Sequence, residues 1–410
     1  MVALGGGTGL SALLRGLKNH VTRRSDQQAT EERPITDLVA IVTVTDDGGS
    51  SGRLRRENRM LPPGDIRNCM VALSQDEALL GRLFQYRFNA GRGLIGHNFG
   101  NLFLAALTHV TGDFAEAVRV SSKVLAIRGR IFPSTVSNVS LVATMEGGGK
   151  VHGETRITAS RRPIKKLTLL PRAVRPLPKA LEAIKQADLI LLGPGSLYTS
   201  ILPNLLIPEI ANAIAKSKAP RVYIANLMTQ PGETSGYALA DHLRAIQRHA
   251  PNRVIDWVVA NRQPVSPEVA KRYRSEGAEP VKIDLPELQK LGYRVVLDNL
   301  LEEHGVIRHN PAGSAIMRSS TRFHNIPLEW RVQWLRRAFS GSGWRLAFTA
   351  SAWCIRFSFF CGGNRAYTPS PWGLLESRLS CTASPWLSLL WSAAGYLSII
   401  SSTRSVSAHS

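Results

Sequence analysis

The residues of this chain that are best suited to chemistry begin with a glycine turn near the amino terminus. Four glycines and Thr8 follow a short apolar run, and an amphipathic segment begins at Leu10. This order is typical of a strand, a tight turn and a helix start. Glycines let the backbone approach a ligand, and the helix start offers unpaired N–H groups to an anion. Gly6, Gly7, Thr8 and Gly9 are therefore predicted to bind a phosphate or nucleotide, although a plain strand–helix connection has the same pattern.

The turn differs from the common nucleotide sites. Gly7-x-Gly9-x-x-Ala12 fits the spacing of dinucleotide-binding turns, but no acidic residue stands at the end of a second strand about 20 residues further on. A Lys-Ser or Lys-Thr pair, which a Walker A loop requires, does not follow the turn either. The sequence favours a nucleotide or phosphate loop that is not an ordinary NAD site.

A segment between Thr45 and Arg55 combines two carboxylates, small polar residues and two arginines. Carboxylates at the end of a strand can hold Mg²⁺ through their oxygen atoms, and a phosphate-bearing ligand would share that ion. Asp46 and Asp47 are predicted metal ligands, and Asp65, which follows two prolines and a glycine, is predicted to face the same crevice. The alternatives are a solvated turn for the first two and a helix N-cap for Asp65.

Polar residues near these carboxylates are suited to anion binding. Backbone N–H groups around Ser50 and Ser51 can wrap a phosphate, and Arg53 can bind one bidentately, while either serine can instead cap a helix. His97 and Asn98 precede a predicted helix. There His97 can donate to a phosphate or act as an acid or base, and Asn98 can bind a ligand or cap the helix.

A second glycine-rich loop follows a predicted buried strand and contains Gly193, Gly195 and Ser196. Its serine can bind a phosphate or ribose oxygen. In open parallel sheets, ligands lie beyond the carboxyl ends of the strands. This loop, the glycine turn, the segment at Asp46 and the loop that begins at Asn226 are therefore expected to converge on one crevice.

Composition and charge narrow the class of protein. The 410 residues are 44% hydrophobic, enough for one large core or two domains. The sequence predicts neither a membrane span nor a signal peptide, and its four cysteines lack the spacing of a disulfide framework or a zinc site. The net charge is +21, but the basic residues are spread out and are not interleaved with aromatic residues. We therefore expect a cytoplasmic protein with an anionic small-molecule ligand and no nucleic acid partner.

The composition changes sharply near residue 312. Residues 312–410 contain ten Arg, two Glu and seven of the eight Trp, but neither Lys nor Asp. Their apolar residues follow no helical or strand period. We interpret residues 312–410 as a frameshifted, disordered tail and residues 1–311 as the domain, and a membrane-surface or partner-binding extension is the alternative.

The first 311 residues alternate apolar runs with amphipathic segments, which predicts an α/β fold with a mostly parallel sheet and helices on both faces. Val136–Ile157 predicts a small antiparallel excursion around three consecutive glycines. Gly100–His109 is apolar on most sides and predicts a buried helix, with His109 in the core.

Several motifs together resemble the bacterial gluconeogenesis factor family, the YvcK-like proteins. The motifs are Gly5–Gly9, Thr45–Arg55, Pro62–Asn68, Gln85–Phe88, Gly96–Asn101, Arg128–Arg130, Gly193–Ser200 and Met228–Thr234. The resemblance covers nearly all of residues 2–311. That family is similar in fold to the 2-phospho-L-lactate transferases (CofD) of coenzyme F420 synthesis.

The resemblance implies a Rossmann-like fold and a cytoplasmic regulatory protein that binds UDP-sugars such as UDP-N-acetylglucosamine. It also implies a role in cell shape and wall synthesis on gluconeogenic carbon sources. The glycine turn with Thr8 and the Gly193–Ser196 loop would hold the nucleotide diphosphate, and Asn226 and Arg308 would be further contacts.

The same resemblance keeps an enzyme in view. In the related transferases, aspartates at positions like those of Asp47 and Asp65 serve metal binding and phosphoryl transfer, so these two are the candidate catalytic residues of a Mg²⁺-dependent transferase. A third hypothesis is a scaffold that acts on cell-wall synthesis proteins. The sequence leaves open whether the chain forms a homo-oligomer.

Overall fold

The computed structural model describes residues 1–22, 35–75, 79–304 and 306–310. The predicted tail, residues 312–410, lies outside the described residues, so its interpretation stays a prediction. Within the described ranges, no helix is both long enough and apolar enough to cross a bilayer.

The predicted α/β fold is confirmed. The strands are β1 (Val2–Gly5), β2 (Val39–Val42), β3 (Arg130–Pro133), β4 (Ser140–Met145), β5 (Lys150–His152), β6 (Ile164–Leu170), β7 (Ile190–Leu192), β8 (Arg221–Ile224), β9 (Trp257–Asn261), β10 (Arg294–Asp298), β11 (Leu301–His304) and β12 (Val306–His309). Seven of them form a sheet in the order β10-β9-β8-β7-β1-β2-β3, and every pairing in it is parallel. Its central strands are apolar throughout, as expected for a sheet covered on both faces.

The helices that follow these strands begin at turn and cap residues. They are α1 (Gly7–Leu17), α2 (Gly49–Asn58), α3 (Gly64–Leu73), α4 (Leu79–Gln85), α5 (Phe99–Thr111), α6 (Phe114–Val124), α7 (Glu154–Ala159), α8 (Pro178–Lys185), α9 (Leu202–Leu205), α10 (Pro208–Lys216), α11 (Leu239–His249), α12 (Pro267–Ser275) and α13 (Leu285–Lys290). A 3₁₀ turn at Lys18–His20 extends α1, and a π-helix at Leu197–Ile201 precedes α9. Pro178, Pro208 and Pro267 each open a helix, a position where proline costs no hydrogen bond.

The antiparallel excursion predicted at Val136–Ile157 contains β4 and β5, and β6 lies beyond those bounds. The three strands form a separate sheet in the order β5-β4-β6. The turn at Gly147–Gly149 joins β4 to β5, and all three glycines have positive φ, which other residues adopt with strain. The helix α7 follows β5 directly, and its Glu154 accepts a hydrogen bond at 3.3 Å from Thr45 Oγ1, which lies just after β2 of the parallel sheet. A second hairpin, β11–β12, ends the described part of the chain.

The helix predicted at Gly100–His109 is present, but the prediction that it is buried is wrong. In α5, only Gly100, Asn101, Leu104 and Ala105 are buried, because α5 packs against α2, α3, α4 and α6 with part of its surface and the rest faces solvent. His109 lies on the exposed side, where its Nε2 is 3.3 Å from Asn58 Oδ1. The sequence pattern did not reveal that α5 is only half-buried, because its solvent-facing side also carries apolar residues.

The strand order places a topological switch point at β1. From β1 the sheet continues to β2 and β3 on one side, and to β7, β8, β9 and β10 on the other. Loops that leave adjacent strands in opposite directions open a crevice at the carboxyl edge, the usual ligand position in such sheets. The glycine turn after β1 and the Gly193 loop after β7 flank this crevice.

Candidate functional site

A cavity of about 1070 Å³ lies at the carboxyl edge of β1, β7 and β8. It is lined by Gly6–Gly9, Asp65, Glu154, Arg161, Gly195, Ser196, Thr199, Ser200, Asn226–Pro231, Tyr273–Ala278, Ile307 and His309. Three of the four loops that were expected to converge supply lining residues, and the fourth, at Asp46, does not. The volume lies just above the roughly 300–1,000 Å³ that is usual for small-molecule pockets.

The glycine turn packs directly on the loop after β7. A Cβ added to Gly9 would lie 2.5 Å from the carbonyl oxygen of Pro194, and one added to Gly6 would lie 2.7 Å from Asp65 Oδ2. Gly7 begins α1 with φ of +62°. Glycine is therefore required here by close backbone approach as well as by the turn, and Thr8 is the one side chain that the turn presents to the cavity.

Asp65 stands in the first turn of α3 and reaches across to the glycine turn. The backbone N–H of Gly7 donates to its carboxylate, so the first donor of α1 is satisfied from within the protein. Burial, reinforced by the charge of Asp46, raises the pKa of Asp65 to about 6, while the Gly7 N–H and Arg67 oppose this shift. Pro63 is the N-cap of α3, so the alternative of Asp65 as the cap is wrong.

The side chains of Asp46 and Asp47 accept hydrogen bonds that stabilise neighbouring turns and helix starts. The Oδ1 of Asp46 accepts from Gly48 N at 2.9 Å, which closes the turn before α2. The Oδ1 of Asp47 accepts from the backbone N of Thr155 at 2.9 Å and from Thr155 Oγ1 at 2.6 Å. Asp47 thus satisfies orphan donors at the start of α7, in the role of an N-cap from another element.

The described carboxylates do not converge into a ready metal centre. Within the described ranges, no group of three or more His, Cys, Asp or Glu side chains is arranged to hold a metal ion. Mg²⁺ at Asp46, Asp47 and Asp65 therefore stays a prediction. The oxygen atoms of Asp65, which lines the cavity, suit Mg²⁺ chemically if a ligand phosphate completes the coordination.

Two further carboxyl groups join this region and were missed by sequence reasoning. Glu154, the first residue of α7, lines the cavity, and burial together with Asp65 and Asp46 raises its pKa to about 9. Glu233 is buried, which raises its pKa, and accepts from Thr199 Oγ1 and Thr158 Oγ1. Glu154 gave no sequence signal, because it enters the site from the antiparallel excursion.

Ser50, Ser51, Arg53, His97 and Asn98 form a cluster of their own and do not line the cavity. Ser50 Oγ lies 3.1 Å from His97 Nδ1 and accepts from the backbone N of Asn98 at 3.3 Å. Gly48, not either serine, is the N-cap of α2, so the serine cap alternative is wrong. Burial and the charge of Arg53 lower the pKa of His97, which favours its neutral form.

Asn98 has the capping role that was one of its two predicted roles. It is the N-cap of α5, and its side chain accepts from Asn101 N at 3.3 Å. Arg53 donates to the carbonyl oxygen of Ile95. Both side chains therefore order the segment that leads into α5, and ligand binding by this cluster stays a prediction.

The loop after β7 is fixed by side chains from the loop after β8. Asn226 Oδ1 accepts from Gly195 N at 3.4 Å, and Gln230 Nε2 donates to Ser196 Oγ at 2.8 Å. Gly193 has φ of +81° and packs near the carbonyl oxygen of Ile224, but it does not line the cavity. Gly195, Ser196 and Asn226 do line it, as the convergence of strand ends predicted.

The far wall of the cavity comes from α12 and the β11–β12 hairpin. The backbone N of Ile307 donates to Tyr273 Oη at 3.0 Å, and His309 Nε2 donates to the carbonyl oxygen of Ala225 at 2.9 Å. Burial lowers the pKa of His309 to about 4 and keeps its imidazole neutral. Arg308 alternates with these two residues along β12, is exposed and does not line the cavity, so its predicted contact stays a prediction.

Arg161 and Arg274 bring positive charge to a cavity that also contains several carboxyl groups. Arg274 follows Tyr273 on α12, and Arg161 follows α7 with φ of +48°, which is uncommon outside glycine. Neither arginine was singled out from the sequence, since both lie in runs of basic residues that have the pattern of a solvated surface. Guanidinium groups beside backbone N–H groups are suited to a ligand that carries phosphate.

Comparison with known proteins gives a consistent family assignment. The sequence profile of the family described as 2-phospho-L-lactate transferase CofD matches residues 1–301. The gluconeogenesis factor of Bacillus subtilis is 48% identical over 307 residues, which are 75% of this chain and 92% of that protein. The gluconeogenesis factor of Halalkalibacterium halodurans is 47% identical over 325 residues, 78% of this chain and 97% of that protein.

A third relative and a solved structure extend the comparison. A relative from Nostoc sp. is 50% identical over 314 residues, and this chain spans 66% of its length. The crystal structure of a member of the UPF0052 family from Bacillus halodurans superposes on this chain with a TM-score of 0.72 at 47% sequence identity. The superposition covers 78% of this chain and 97% of the chain in that crystal structure.

Proposed function

This chain belongs to the CofD family, and to the gluconeogenesis factors within it, and on that premise we propose that it is a regulatory protein that binds a UDP-sugar. UDP-N-acetylglucosamine is the proposed ligand type. The proposed role is cytoplasmic, in cell morphogenesis and wall synthesis during growth on gluconeogenic carbon sources. Residues 1–311 are the proposed binding domain, and cell-wall synthesis proteins are the proposed partners.

The observation that carries this proposal is the composition of one cavity at the switch point of the sheet. On one side stand the glycine turn with Thr8 and the Gly195–Ser196 pair, which are suited to a diphosphate. On the other side stand Tyr273 and Arg274, an aromatic ring and a cation suited to a base and a phosphate. Asn226, which also lines the cavity, accepts a hydrogen bond from Gly195 N and so fixes the Gly195–Ser196 side.

Calorimetric titration of the full chain with UDP-N-acetylglucosamine tests the proposal. Arg274→Ala removes a cavity guanidinium and should weaken binding about tenfold, the effect of one lost charge-assisted contact. Lys271→Ala is the matched control, because Lys271 is an exposed basic residue of the same helix that does not line the cavity. The control should bind like the wild type.

Absence of binding heat with UDP-sugars in a folded wild-type chain would refute the proposal. Equal weakening by Arg274→Ala and Lys271→Ala would mean that general surface charge attracts the ligand. In that case the cavity would not be the binding site, whatever the affinity of the wild type.

A Mg²⁺-dependent transferase, similar to the 2-phospho-L-lactate transferases, is the second candidate. The description of the matching family favours it, and so does the position of Asp65 in the cavity with a pKa of about 6, within the working range of an acid–base group. Asp65→Asn should then abolish turnover of a nucleotide-linked phospho-acyl donor, while nucleotide affinity changes by less than about threefold. Lack of product with the wild type and Mg²⁺ across such donors would count against this candidate.

A further inference from the structure

A second surface of the molecule shows apolar side chains to solvent, away from the cavity lining. It is formed by α4 and the loop that follows it. Its large apolar residues and their exposed fractions are Leu79 65%, Leu83 40%, Tyr86 49%, Leu94 42% and Ile95 56%. Leu79 and Leu83 are one turn apart on α4, Tyr86 directly follows the end of the helix, and the last two form the tip of the loop. We call these five residues with their neighbouring arginines the Leu94 surface.

The loop tip is held in place by many hydrogen bonds, so its exposure is built into the structure. The carbonyl oxygen of Gly91 accepts from the backbone N of Leu94 and of Ile95, at 3.1 Å each. Gly96 N donates to Phe88 O at 2.7 Å, and a β-bridge between residues 87 and 98 closes the base of the loop. A loop ordered in this way that still presents two aliphatic side chains outward is suited to contact with another molecule.

Arginine side chains from two elements support the same loop. Arg53 of α2 donates to Ile95 O at 2.9 Å, and Arg87 donates to Gly96 O at 2.7 Å. Gly91 and Gly93, within the loop, have φ of +97° and +85°, which only glycine adopts without strain. The local sequence therefore specifies one conformation of the tip.

The charge of this surface indicates what it accepts. From Leu79 to Gly112 the sequence contains three arginines, Arg82, Arg87 and Arg92, and no Asp or Glu. All three arginines are exposed. Glu57 of α2 lies close enough to affect His97 behind the loop, and Asp76 and Glu77 precede Leu79 outside the described residues. Exposed Tyr and Arg beside apolar side chains, with no Asp or Glu from Leu79 to Gly112, favour a protein partner that supplies acidic groups.

We propose that the Leu94 surface docks an acidic amphipathic segment of a partner protein, whose apolar side covers Leu94 and Ile95 and whose carboxylates pair with the arginines. A second copy of this chain is a poorer fit, because a two-fold contact through this surface would set arginines against arginines. The proposal does not depend on what the cavity binds.

The test is a selection of random peptides displayed on phage against the immobilised full chain. Enriched peptides should carry Asp or Glu around large apolar residues. The Leu94→Ser, Ile95→Ser double variant should bind them at least about tenfold more weakly, because both anchors are lost. Leu170→Ser is the matched control, because Leu170 is also an exposed leucine, 52% accessible, and lies on β6 of the antiparallel sheet, outside the Leu94 surface. It should bind the peptides like the wild type.

Charge reversal gives a second, independent readout. Arg92→Glu should weaken the acidic peptides about tenfold, and the loss should shrink at high salt. Enriched peptides without acidic residues, or equal binding by the double variant, would overturn the proposal. So would a wild-type dimer that the double variant loses, which would assign the surface to a second copy. Binding to phosphatidylglycerol vesicles in place of peptides would assign it to a membrane.

Discussion

At the scale of single residues, Asp65 combines burial with a structural hydrogen bond. Its pKa rises from 3.8 to about 6 on folding, so the folded chain holds this proton more tightly than the unfolded chain does. The stability that protonated Asp65 contributes is complete below its unfolded pKa and is lost as the pH rises through its folded pKa. The carboxylate therefore opposes folding at neutral pH, a cost that a bound cation would relieve.

We predict that Asp65→Asn raises the free energy of unfolding relative to the wild type. This gain should grow by about 2 kcal/mol between pH 4 and pH 6.5, because a pKa shift of one unit corresponds to about 1.4 kcal/mol and the shift of Asp65 is larger. Asparagine keeps an acceptor for Gly7 N–H and removes the buried charge. Urea unfolding of the full chain across this pH range, with EDTA present, measures the difference.

Glu209→Gln is the control for that series. Glu209 is exposed at the start of α10, so its substitution should leave the pH profile unchanged. A constant gain of Asp65→Asn at all pH values would show that Asp65 is not buried with a raised pKa. A loss of stability would show that its carboxylate has partners that asparagine cannot replace.

At the scale of elements, Asp47 fastens α7 to the turn before α2. One oxygen of Asp47 accepts from both the backbone and the hydroxyl of Thr155, near the start of α7. We predict that Asp47→Ala lowers the free energy of unfolding by about 1 to 2 kcal/mol, as for a lost cap, and that Asp47→Asn recovers most of it because it keeps an acceptor. Denaturant unfolding of the three proteins measures this order.

A double-mutant cycle with Thr155→Val isolates the pair. The coupling energy should be about 1 kcal/mol, since the hydroxyl contact is lost in either single variant. Coupling near zero would contradict the structural role of Asp47. The same Asp47→Asn variant separates roles, because an enzyme that used this carboxylate would lose turnover while its stability stayed close to that of the wild type.

At the scale of the whole molecule, the cavity joins segments that are far apart in the chain. Gly6–Gly9, Asn226–Pro231 and four residues after β7 face one space, together with Ile307 and His309 of β12. The four residues are Gly195, Ser196, Thr199 and Ser200. We predict that saturating UDP-N-acetylglucosamine slows amide hydrogen exchange in all of these segments at once, because one bound ligand stabilises every wall of its site. Hydrogen–deuterium exchange with mass spectrometry measures this, with α8 and α10 as internal references that should not change.

Protection confined to one of those segments would contradict a shared cavity for that ligand. Protection that also spread to α8 and α10 would indicate general stabilisation of the fold. The exchange pattern thus distinguishes direct contact with the ligand from stabilisation of the whole fold, and it requires no variant that could unfold.

The amino-acid sequence by itself determined the α/β class, the glycine turn, the loop at Gly193 and the convergence of three of the four expected loops on one cavity. Those features are local or periodic: apolar runs, turn residues and helix starts carry their own physical requirements. The family followed from the same motifs, because each couples residue types to fixed spacing. Gly9 is an example: any side chain there would clash with the carbonyl oxygen of Pro194, so the motif requires glycine at this position.

Only the tertiary structure decided which polar residues share the cavity. Glu154 enters from the antiparallel excursion and Tyr273 from α12, and no spacing in the sequence links either of them to the glycine turn. Asp47 and His97 looked equally suited to a ligand, but hydrogen bonds to Thr155 and Ser50 engage them in fixing other elements. Contacts between residues so distant in the chain depend on strand order and crossover direction, which side-chain patterns do not encode locally.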